Sequence, residues 1–110
     1  MQKKTIYLSG PITGTSDYKD RFGAAADKLR KQGYSVISPA DLPDGYEYAT
    51  YIHLCLTLID TADIVLLLPG WGNSRGAILG RMYADSIGKE IKHYCDAAGV
   101  SSGDPRAAVW

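Results

Sequence analysis

An unbroken apolar run covers Ile64 to Leu68 and is followed by Pro69 and Gly70, which end it. A run without polar alternation is typical of a strand buried on both faces, as in a parallel sheet. The next apolar residues recur at helical spacing: Ala77, Ile78, Leu79, Met82 and Tyr83. The segment from 63 to 84 therefore predicts a strand, a glycine-bearing loop and a helix.

The same kinds of pattern predict three more strands and two more helices. Thr5 to Ser9 and Tyr34 to Ile37 are short apolar segments of strand length. Lys89 to Tyr94 predicts a fourth strand at a sheet edge, because charged residues interrupt its apolar positions. Apolar residues at helical spacing extend over residues 18–32 and 48–61, which predicts one helix before the second strand and one before the third.

Strands and helices that alternate in this way predict an α/β fold. We expect a small doubly wound parallel sheet, flavodoxin-like or Rossmann-like, of about four strands with helices on both faces. The predicted strand order is 2-1-3-4, which makes strands one and three neighbours whose helices leave to opposite faces. Ligands bind at such a switch point, beyond the carboxyl ends of the strands. The loops predicted to meet there are residues 10–14 and 69–76.

Length and composition limit the domain organisation and the partners. The 110 residues predict one α/β domain at 1–95 and a flexible tail at 96–110, whose apolar end could dock on a neighbouring subunit. Twelve basic and twelve acidic residues cancel, which argues against nucleic acid as a partner. No segment is apolar enough to cross a membrane and no signal peptide is evident, so we expect a cytoplasmic location.

The cysteines and histidines give no indication of a metal or cofactor. Cys55 and Cys95 are far apart and form no CxxC motif, while His53 and His93 belong to no ligand cluster. We therefore expect reduced thiols, no metal site and no cofactor.

The candidate binding residues lie in the two cleft loops. Ser74 and Arg75 place a hydroxyl and a guanidinium at a predicted helix start, where the N–H groups and the helix dipole favour a phosphate. An ordinary helix cap, made by Asn73 or Ser74, is the alternative. Tyr7 is expected to pack in the core rather than line the cleft. The predicted substrate-binding residues are Ser9, Gly10, Pro11, Gly70, Trp71, Asn73, Ser74, Arg75 and Gly76.

Three segments resemble the nucleoside 2-deoxyribosyltransferase superfamily: YLSGPITG, SPADL and ADIVLLLPGWGNSRGA. The resemblance is strongest to its small bacterial and phage branch of the DUF4406 type. It implies a fold that breaks or exchanges the N-glycosidic bond of nucleosides or nucleotides, with a glutamate nucleophile and an assisting aspartate. It also implies that Ser74 binds a 5′-phosphate, that Gly10 and Pro11 lie in the first cleft loop, and that the chain forms a homo-oligomer.

Two residues depart from what that resemblance implies. Gly80 stands where the glutamate is expected, and Cys55 stands where the aspartate is expected. Because this chemistry needs a carboxylate, the favoured hypothesis is a nucleotide or nucleoside binder that has lost the bond-breaking reaction. The alternative is an active nucleoside deoxyribosyltransferase or nucleotide N-glycosidase with a different carboxylate; a purely structural role also stays open. The candidate carboxylates are Asp41, Asp44, Glu47 and Glu90.

Overall fold

The computed structural model describes residues 4–12, 17–43, 45–95 and 99–101. The strands are β1 Thr5–Ser9, β2 Ser35–Ile37, β3 Ile64–Leu67, β4 Glu90–Cys95 and β5 Gly99–Ser101. The helices are α1 Tyr18–Lys31, α2 Tyr48–Thr61 and α3 Arg75–Ser86, with short 3-10 turns at Pro39–Asp41 and Trp71–Asn73. None of the helices in these ranges is long and apolar enough to span a membrane.

The parallel part of the sheet confirms the predicted doubly wound α/β fold. β1 pairs in parallel with β2 and with β3, and β3 pairs in parallel with β4, which gives the order 2-1-3-4. The helices cover both faces, α1 on one side and α2 with α3 on the other. The switch point therefore lies between β1 and β3, as the alternation of elements predicts.

Two apolar cores pack on the two faces of the sheet. Ile6 and Leu66 face α1 and pack with the fully buried ring of Phe22. Tyr7 and Val65 point the other way and pack with residues of α2 and α3. Since successive strand residues point to opposite faces, a strand covered on both sides must be apolar at every position. This explains the uninterrupted apolar run of β3.

The far edge of the sheet differs from the prediction. β4 is not an edge strand, because β5 pairs with it antiparallel. The charges in β4 that indicated an edge are half-buried or exposed, and Lys92 lies 3.6 Å from Glu90 in an ion pair. β5 falls in the segment assigned to the tail, and its sequence Gly-Val-Ser has one strongly apolar residue, too few to predict a strand. The rest of the predicted tail, 96–98 and 102–110, lies outside the described residues.

Candidate functional site

A cavity of about 540 Å³ lies at the carboxyl ends of β1 and β3, at the predicted switch point. Its size is that of a pocket for a small organic ligand. The loop after β1, the start of α3 and one side of α2 enclose it. Four tyrosines contribute to its wall: Tyr7, Tyr18, Tyr48 and Tyr51. Their rings and hydroxyls make the wall both aromatic and polar.

Seven of the nine predicted binding residues line this cavity, namely Ser9, Gly10, Pro11, Asn73, Ser74, Arg75 and Gly76. Gly70 and Trp71 are not among its lining residues. Gly70 has a φ of 87°, and a Cβ there would lie 3.1 Å from Cγ of Pro11. Trp71 is half-buried, with the Arg81 guanidinium 5.7 Å from its ring centre and the His93 ring 6.3 Å away. Both residues shape the loop behind the cavity.

The start of α3 forms the polar end of the cavity. Ser74 is the residue that caps α3, because its Oγ accepts a hydrogen bond from the N–H of Ala77 at 3.2 Å. Arg75 is the first helical residue and is exposed, with its guanidinium 5.7 Å from the centre of the Tyr48 ring. A hydroxyl, a guanidinium and the positive end of the helix dipole thus lie together at one end of the cavity.

A hydrogen-bonded pair that the sequence did not predict forms another part of the wall. Tyr7 is only 3% exposed, packs in the core as expected, and also lines the cavity, where it contacts Cys55. Burial raises the pKa of Tyr7 well above its ordinary value. Burial also raises the pKa of the Cys55 thiol, although the hydrogen bond from Tyr7 partly offsets this. One available signal was that Tyr7 and Ser9 alternate on β1 and so share a face.

The two positions where the resemblance implies carboxylates both lie in the cavity wall. Cys55 and Gly80 line it, and a Cβ at Gly80 would lie 3.2 Å from Cδ1 of Ile59 and 3.8 Å from Oγ of Ser9. No aspartate or glutamate belongs to the cavity lining in the described part of the chain. Arg75 is the charged residue among the lining residues, so the described wall carries positive charge without a compensating acid.

The substitute carboxylates suggested by the sequence do not reach this wall. Glu90 pairs in register with Ile64 at the start of β3, which is the opposite end of the sheet from the cavity. Asp41 and Glu47 are exposed and are absent from the cavity lining, and Asp44 lies outside the described residues. The structure therefore places no replacement acid among the described lining residues.

Metal chemistry finds no support in the side chains of the described segments. No group of three His, Cys, Asp or Glu there could hold a metal ion. His53 is exposed on α2 and does not line the cavity.

The raised pKa of Cys55 leads to a direct test of the cavity wall. In a Cys95→Ser background, we expect the alkylation rate of Cys55 to reach half its maximum at a higher pH than that of free cysteine. Tyr7→Phe should raise this midpoint further, because it removes the hydrogen bond that stabilises the thiolate. Rate profiles against pH with iodoacetamide measure both. A midpoint at or below that of free cysteine would contradict the described environment of the thiol.

Comparisons with known proteins agree with this geometry. A family model described as "Domain of unknown function (DUF4406)" matches residues 4–93. Among solved structures, a 2-desoxiribosyltransferase from Leishmania mexicana has a TM-score of 0.67 and 18% sequence identity. The alignment covers 83% of this chain and 63% of that one, so the chain spans less than two thirds of its length. At this identity the likeness shows the fold. The comparison with curated proteins found no match.

Proposed function

Because the chain belongs to the DUF4406 family, within the nucleoside 2-deoxyribosyltransferase-like superfamily, we propose that it binds a nucleotide or nucleoside in the cavity without breaking its N-glycosidic bond. One observation carries this proposal: the cavity has a cationic, helix-capped end and no acid among its described lining residues.

The wall chemistry supports a ligand with a flat ring at one end and an anion at the other. The rings of Tyr48 and Tyr51 offer aromatic surface for a nucleobase. Arg75 and the start of α3 offer charge-assisted hydrogen bonds for a phosphate. A 5′-nucleotide carries both groups on one sugar, and a cavity of about 540 Å³ is large enough for one such molecule.

The chemistry of the two altered positions supports binding without reaction. Gly80 has no side chain that could attack or stabilise a sugar cation. Cys55 has a raised pKa, so its thiol is neutral near neutral pH and supplies neither a negative charge nor a strong acid. The alternative, an active deoxyribosyltransferase or N-glycosidase, draws support from the shared fold. It requires a carboxylate from another part of the chain or another molecule.

Calorimetric titration tests the binding half of the proposal. We expect nucleoside 5′-monophosphates to bind at least about tenfold more tightly than the matching nucleosides, because a charged hydrogen bond contributes roughly 1.5–3 kcal/mol. Nucleoside 3′-monophosphates are the matched control, since they carry the same phosphate on a different oxygen. Equal affinity for nucleosides and 5′-monophosphates would contradict the assigned anion end, and no binding by any of them would contradict the proposal.

A further inference from the structure

Helix α3 carries an apolar face that the described part of the chain does not cover. Ile78, Leu79 and Met82 are 37%, 42% and 58% exposed. The opposite side of the helix is buried through Ala77, Gly80 and Ala84. At 100° per residue, Arg75 and Asp85 fall on the same exposed side as the three apolar residues. The exposed face thus reads as a cation, three apolar side chains and an anion along one helix.

The charges on this face are placed against the helix dipole. Arg75 is in the first turn, where the dipole is positive, and Asp85 is in the last turn, where it is negative. A second α3 lying antiparallel would bring an opposite helix end and an opposite side chain to each of them. A two-fold axis beside residue 80 relates 75 to 85 and 78 to 82, since each pair is spaced evenly about it.

We propose that the chain forms a two-fold dimer in which α3 packs antiparallel on α3 of a second copy. Ile78, Leu79 and Met82 form the centre, and an Arg75–Asp85 pair closes each end. A face that is complementary to itself under a two-fold rotation fits a second copy of the chain. The helix has only twelve residues, so the interface is small and the dissociation constant falls in the micromolar range. This inference does not depend on the proposed ligand.

Sedimentation of the full chain tests the dimer. At a concentration on the order of 100 μM we expect a mass near twice the 11.9 kDa of the monomer. Met82→Asp should weaken association by about 100-fold, because it places a charge at the apolar centre. Ala24→Asp is the control, since it adds the same charge to an exposed position of α1 on the other face of the sheet. A monomeric wild-type chain, or an unchanged dimer in Met82→Asp, would overturn the proposal.

Charge exchange tests the antiparallel pairing itself. Asp85→Arg and Arg75→Asp should each be monomeric alone, because each brings like charges together at both ends of the interface. Mixed in equal amounts, they should form a heterodimer in which every end pair is again opposite in sign. A mixture that stays monomeric, or variants that self-associate like wild type, would overturn this arrangement. Circular dichroism of each variant confirms that all these chains are folded.

Discussion

Replacing Ser74 with aspartate is expected to weaken 5′-nucleotide binding by about 100-fold while leaving the fold as stable as the wild type. Ser74 caps α3 through its Oγ, which accepts from the N–H of Ala77. Aspartate caps helices as well as serine does, and its charge suits a helix start. The same charge would repel a phosphate at the anion end of the cavity. The variant thus separates the capping role of the position from its binding role.

Ser74→Ala is the matched control for this experiment. It should lower the free energy of unfolding by about 1 kcal/mol, because it removes the cap. It should weaken 5′-nucleotide binding less than Ser74→Asp does, because it introduces no charge. Urea denaturation and calorimetric titration of both variants measure the two effects. If Ser74→Asp bound 5′-monophosphates with wild-type affinity, the phosphate would have to bind elsewhere.

Gly10→Ala is expected to lower the free energy of unfolding by about 1–3 kcal/mol, because it overpacks the first cleft loop. Gly10 is buried, and its added Cβ would lie 3.0 Å from Cβ of Leu68. Leu68 cannot easily move away, since it is 5% exposed and its N–H donates to the carbonyl of Ser9 at 2.8 Å. The strain therefore falls on the backbone that lines the cavity.

Gly72→Ala provides the comparison for Gly10→Ala. Gly72 lies in the second cleft loop, is exposed, and has no atom within 4 Å of the position of an added Cβ. We expect its free energy of unfolding to stay within about 0.5 kcal/mol of wild type. Urea denaturation of the two variants gives the difference. Equal stabilities would contradict the close approach of Gly10 to Leu68.

The sequence allowed most of the fold to be predicted, because the signals that specify it are local. The apolar run of β3 and the alternation of strands with helices led to the parallel order 2-1-3-4. β5 escaped prediction because a three-residue edge strand is held by backbone pairing to β4, which leaves little trace in side chains. The edge position predicted for β4 failed for the same reason.

The site could be predicted only as far as topology reaches. The two loops meet at the switch point, so Ser9, Gly10 and Ser74 were predicted to share a cleft, and they line one cavity. The side chain of Trp71 turns away to pack near Arg81, a direction that loop sequence does not specify. The Tyr7–Cys55 pair joins a strand to a helix far along the chain, so its contact depends on tertiary packing.

The central claim, a nucleotide bound but not cleaved, is tested most directly by following the ligand itself. Protein in excess over ribonucleoside and deoxyribonucleoside 5′-monophosphates would be incubated overnight, and the recovered small molecules separated by chromatography. We expect intact nucleotide, with no more free base than in a sample without protein. Free base that forms in proportion to protein, and that disappears when Asp41 or Glu47 is replaced by alanine, would contradict the account.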